Sequence, residues 1–178
     1  MISSSANFTF LEASSAQLAR LGALPEWSLH VDPPTSILKI RQFTEELARL
    51  VAARQDALSA SGEGFAEILT RLQRAGLLPT KAADVFHHLG RLGNVAAQEN
   101  KGTAAQALSS LKLPRELGVW FHRAFADPSF APPPFSPPEP PRDVSEELAH
   151  QLDELRSKLA ETEDAAARAA REAEDART

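Results

Sequence analysis

The chain has 178 residues, 43% of them hydrophobic and 24% charged, enough for one ordinary domain with a core and an appendage. It has no cysteine, which excludes a disulfide framework and thiolate metal ligands, and no apolar run near the roughly 20 residues that span a bilayer. The opening Met1-Ile2-Ser3-Ser4-Ser5 has no basic region followed by an apolar block, so no signal peptide is expected and a cytoplasmic location follows. From Asp143 onward, eleven acidic and five basic residues give −6. The formal charge of the whole chain is −5, which leaves about +1 for residues 1 to 142. The acidity belongs to the tail, and a near-neutral body has little bulk attraction for nucleic acid.

In chain order, the apolar residues follow a helical period without sustained strand alternation, so the expected fold class is all-α. Ser14 or Ser15 caps a first helix that runs to about Leu24, where Pro25 interrupts it or opens a second piece. Asp32-Pro33-Pro34-Thr35 starts the longest core helix, to about Gln55, with Ile37, Ile40, Phe43, Leu47, Leu50 and Val51 on one face. Gly62-Glu63-Gly64 breaks the chain before a short helix carrying Phe65, Ile68, Leu69 and Leu72, which Gly76 ends. Pro79-Thr80 begins a helix that buries Val85, Phe86, Leu89, Leu92 and Ala96. Thr103 caps a last one, which Pro114 kinks or splits before Leu117, Trp120, Phe121 and Phe125. The sum is a compact bundle of five or six helices over residues 1 to 126, with Trp27 and Trp120 assigned to its core.

Residues 127 to 142 hold eight of the thirteen prolines and form an extended connector, which Phe130 and Phe135 pin against the bundle. A PxxP-type ligand is a lesser alternative for this stretch. Residues 143 to 178 carry a heptad seam through Leu148, Leu152, Leu155, Leu159, Thr162, Ala166, Ala169, Ala173 and Ala176. It reads as a coiled-coil helix with the four leucines as its oligomerisation face, or else as a single solvated helix. The pattern meets no stop signal, so the 178 residues are expected to be a piece of a longer protein.

Three segments carry a resemblance: Ile37-Leu38-Lys39-Ile40-Arg41-Gln42-Phe43, the stretch from Phe86 to Asn100 (Phe86-His87-His88-Leu89-Gly90-Arg91-Leu92-Gly93-Asn94 and onward), and Val119-Trp120-Phe121-His122-Arg123. Together, over roughly residues 7 to 140, the chain resembles the HEPN-like N-terminal domain of type I restriction enzyme R subunits, the HsdR-like helicase-nucleases. The resemblance implies a helical accessory module that docks the R subunit to modification and specificity subunits or to DNA. The parent enzyme would use ATP and magnesium, but no cofactor is expected in this chain, which lacks a Gly-rich phosphate loop followed by GK[ST].

HEPN ribonucleases set an arginine and a histidine a few residues apart, the first for phosphate charge and the second for protons. Arg91 and Asn94 match the start of that pattern, but Gln98 occupies the histidine position and cannot transfer a proton. No catalytic residue is therefore assigned. The candidate phosphate- or partner-binding residues are Lys39, Arg41, His87, Arg91, Asn94 and Lys101. Arg91 with Lys101 is one anion site, and His87 shares a helix face with Arg91 at i, i+4. The architectural alternative has Gly90 and Gly93 allowing close helix packing while Asn94 and Gln98 hydrogen-bond in a buried turn. Lys39 or Arg41 snorkels along the core or pairs with Glu45 or Glu46. Adjacent His87 and His88 point about 100° apart, so no metal site is assigned. The rival functions are a stand-alone oligomerisation adaptor, forming a homodimer through the bundle or the coiled coil, and an RNase.

Overall fold

The computed structural model describes residues 5–55, 62–140 and 145–175. Pro141, Arg142 and Ala176, named above for the connector and the seam, lie outside the described residues. The chain is all-helical: a 3-10 turn at Thr9–Leu11, then α1 (Ala16–Ser28), α2 (Pro33–Arg54), α3 (Phe65–Arg74), α4 (Thr80–Glu99), α5 (Ala104–Phe125) and α6 (Ser145–Asp175). It forms two compact units, Met1–Glu139 and Pro140–Thr178.

Side chains set most helix starts locally. Ser15 accepts from the Leu18 amide at 3.1 Å, and Asp32 accepts from Thr35 N (3.1 Å) and Thr35 Oγ1 (2.7 Å). Thr103 and Gln106 form a reciprocal capping box at 3.2 and 3.0 Å. The stops are equally local. Gly76 takes φ +69° after α3, and Asn100 takes φ 48° at the end of α4, the left-handed region open to glycine and asparagine. The interruption expected at Pro25 and the split offered for Pro114 do not occur. Neither Pro25 nor Pro114 ends its helix, and both are buried inside continuous α1 and α5. Each removes one main-chain donor, and packing of the surrounding turns offsets that loss.

α2 is the axis of the first unit and touches α1, α3, α4 and α5. Its face Ile37, Ile40, Phe43, Leu47, Ala48 and Val51 is buried. Four phenylalanines, Phe8, Phe43, Phe86 and Phe121, are fully enclosed, with Phe8 edge-on to Phe43 at 5.2 Å. Gly22 makes room for this, since a Cβ there would sit 2.5 Å from Phe8 Cγ.

Trp27 corrects the sequence-based assignment: it is 71% exposed, whereas Trp120 packs on the core in T-shaped contact with Phe86 and Phe125. A tryptophan within an amphipathic period satisfies the pattern from either side of a narrow helix stripe. On α1 the neighbours Ala23 and Ser28 turn inward instead.

The proline-rich stretch lies on the bundle. Asn7 donates Nδ2 to the Ser136 carbonyl (2.7 Å) and accepts the Ser136 amide on Oδ1 (2.9 Å). Arg123 Nε donates to the Phe130 carbonyl at 2.8 Å, Arg115 donates to that of Pro133, and His30 Nε2 lies 2.9 Å from that of Pro138. Proline carbonyls keep their acceptors after the amide donors are gone, so side-chain donors of the bundle can hold them. Phe130 stacks near Phe10 and His122 (5.0 and 4.6 Å), and Phe135 packs on the core beneath Lys112. The compact first unit runs through Glu139. α6 is a 31-residue helix whose Leu148, Leu152, Leu155 and Leu159 are 47–63% exposed.

Candidate functional site

Between α2, the first turn of α3 and the middle of α4 lies an open cavity of about 590 Å³, with Arg41, Phe65, Glu67, His87, Arg91 and Asn94 among its walls. Four of the six residues selected from sequence therefore meet in one place. Three come from α4, where steps of three and four residues put His87, Arg91 and Asn94 on one face. The fourth arrives from α2, 53 positions away in sequence: an Arg41 amino group donates to Asn94 Oδ1.

Two glycines allow the close approach. A Cβ on Gly93 would lie 2.6 Å from both Arg41 Cβ and Cδ, and one on Gly90 would lie 2.8 Å from Phe65 Cε1. The stem of Arg41 thus rests on bare α4 backbone, and the ring of Phe65 covers the next turn. Arg41 Nε also donates to Glu45 at 2.7 Å, a bond that fixes the fork of its guanidinium toward Asn94. His87 Nε2 lies 3.0 Å from Gln73 Oε1, which ties α4 to the last turn of α3. Arg91 is exposed and makes no ion pair or hydrogen bond among the described residues.

Glu67 is the negative wall. It caps α3 by accepting the Gly64 amide at 2.9 Å, so its carboxylate is partly occupied. Outside the cavity, Arg71 holds Glu63 through two donors at 2.9 and 2.7 Å. That hydrogen bonding holds the Glu63 carboxyl below its usual range. A local charge pattern thus arises in which one guanidinium is anchored (Arg41), one carries no internal partner (Arg91) and an imidazole stands at the rim. The set can accept one anionic oxygen group between Arg91, His87 and Asn94.

Lys39 and Lys101 are not in this cavity. Lys39 Nζ donates to Gln42 at 3.1 Å, and Lys101 pairs with Glu99 at 3.2 Å beyond the end of α4. Ten residues separate Lys101 from Arg91, about 15 Å of helical rise, so the two cannot share one site along α4. The buried turn imagined for Asn94 and Gln98 is likewise absent, because both side chains are exposed. Sequence reading passed over Phe65 and Glu67 as parts of the site. The signal for Glu67 was present in its place three residues after Gly64, the spacing of a reciprocal cap.

Elsewhere, His122 is 9% exposed and its Nδ1 has no hydrogen-bond partner among the described residues; its ring sits against Phe10 and Phe130. Among the described residues no three His, Asp or Glu side chains cluster as a metal site, and no helix is long and apolar enough to cross a membrane.

No family model matches the chain, and no solved structure matches it. Among curated proteins it is similar to the type I restriction enzyme EcoKI endonuclease subunit of Escherichia coli (strain K12), 26% identical over 117 residues. That match takes in 66% of this chain and 10% of the relative, so the chain spans about a tenth of the length of the protein it resembles.

Proposed function

We propose that this chain is a non-catalytic accessory module of a type I restriction R subunit or related ATP-dependent DNA helicase-nuclease, with a HEPN-like bundle that docks on DNA in defence against foreign DNA. The observation that carries the reading is the cavity of Arg41, His87, Arg91 and Asn94, in a chain similar to an endonuclease subunit of that class. A guanidinium with a neighbouring imidazole and amide suits a single backbone phosphate. Contacts of that kind fix register without reading bases. A body of about +1 charge would add little beyond that one contact, so the chain by itself would bind DNA weakly and only at low salt, and the module would help position DNA held by the rest of the enzyme. Catalysis is not assigned, because Gln98 stands where a proton-transferring histidine would be needed. ATP and magnesium would be held by other domains of the parent, which would work in the cytoplasm beside modification and specificity subunits.

The test is fluorescence anisotropy of a labelled DNA duplex titrated with the full chain at low salt. The native chain is expected to bind, and Arg91→Ala to weaken binding about tenfold and reduce the slope of log K against log salt by about one. Equal affinity for native and Arg91→Ala chains, or no binding by either, refutes DNA engagement through this cavity. Cleavage of the duplex or of RNA by the chain alone refutes the non-catalytic assignment.

A further inference from the structure

Four leucines on α6 are open to solvent in a helix that is otherwise charged or alanine-rich. Leu148 is 55% exposed, Leu152 47%, Leu155 63% and Leu159 59%. They fall at d, a, d and a of one heptad register, which places Arg156 and Glu163 at e and Lys158 at g. We propose that α6 binds a second copy of this chain as a parallel, in-register two-stranded coiled coil.

The occupant and its direction follow from charge. In a parallel pair, each g residue faces the e residue five positions later on the other strand, so Lys158 meets Glu163 of the second copy, twice by symmetry. Neither makes an ion pair within its own chain among the described residues. The basic Arg156 instead leans to Asp153 at 3.5 Å, one turn back and away from the seam. The antiparallel alternatives are poorer. The alignment that buries all four leucines sets Lys158 opposite Gln151 and Arg156 opposite Ala149, with no attraction across either edge. Sliding it by one heptad places Lys158 against Lys158 and Arg156 against Arg156, which repels. Only the parallel arrangement buries every leucine against a leucine and pairs opposite charges. It sets the two Ser145 ends side by side.

Light scattering on the full chain at about 100 µM tests the pairing, with a mass of twice 19.3 kDa expected. The paired substitution Leu152→Glu with Leu155→Glu is expected to return the mass to one chain. Tryptophan fluorescence should stay unchanged in that variant, since both tryptophans lie outside α6. Direction is read in two further ways. Lys158→Glu alone should weaken the dimer about tenfold and Lys158→Glu with Glu163→Lys should restore it. Ala166→Cys, the chain's sole cysteine, should crosslink on oxidation, because the two copies face each other only in the parallel pair. In the leucine-matched antiparallel pair they stand roughly 37 Å apart along the axis. A mass of one chain, or any mass other than two, overturns the proposal. So does a dimer that survives the paired leucine substitution, one that fails to crosslink through position 166, or one that the charge exchange does not restore.

Discussion

Gly93→Ala isolates what holds the cavity together. In a helix interior, alanine is favoured over glycine by about 1 kcal/mol, so the substitution should stabilise α4 if nothing else changed. The added Cβ, however, would lie 2.6 Å from Arg41 Cβ, an atom one bond from the α2 backbone that no rotamer can move aside. Either α2 or α4 must shift, and overpacking of that kind runs to about 1–3 kcal/mol, near the upper end here because a whole helix moves. The net expectation is a loss of about 1–2 kcal/mol, or roughly 4 °C in Tm per kcal/mol for a unit of this size. Gly90→Ala is the control. Its Cβ would meet Phe65 Cε1 at 2.8 Å, the far edge of a half-exposed ring that can tilt, so the same propensity gain should leave stability within about 0.5 kcal/mol of native. The assay is urea unfolding followed by tryptophan fluorescence. Trp120 reports the bundle from its place beside Phe86, and α6 contributes no tryptophan. A Gly93→Ala chain as stable as native, or one less affected than Gly90→Ala, would refute the argument that α4 bears directly on Arg41.

Two other tests concern the N-terminal turn and the proline-rich strap. Burial pushes the Glu26 carboxyl above its ordinary 4.5, against hydrogen bonds from Ser5 and Asn7 and the charge of Arg115. The folded state therefore holds this proton more tightly, and the group's contribution to stability falls as pH rises from 4.5 through the raised folded value. Glu26→Gln should match the native chain below that window and exceed it in denaturant midpoint above it; a lower midpoint at neutral pH would contradict the sign. Asn7→Ala removes both bonds to Ser136 and the 2.6 Å bond to Glu26. A loss of about 1–3 kcal/mol is expected, with faster chymotryptic cleavage after Phe135; unchanged cleavage would mean that the strap's other contacts hold it without Asn7.

Most of the candidate site could be read in the sequence where it lies along one helix. His87, Arg91 and Asn94 are related by steps of three and four, and helical geometry alone makes them neighbours. Lys101 was grouped with them by proximity in sequence, but about 15 Å of helical rise separates it from Arg91, and it pairs with Glu99 instead. Lys39 and Arg41 were indistinguishable as cations on a core helix. Gly93 decided between them, since the missing side chain on α4 lies opposite Arg41.

The helices themselves were determined by the sequence, because caps, periodicity and stop residues act within a turn or two. Ser15, Asp32 and Thr103 hold amides three positions away, and Gly76 and Asn100 end helices by their own backbone freedom. Tertiary structure alone decided what depends on remote partners: that Trp27 faces water and Trp120 the core, that α1 and α5 run on through buried prolines, and that Asn7 clasps a strap 129 residues away. Hydrophobic period fixes which residues share a face, whereas burial of that face and the meeting of distant polar groups are set by how helices stack.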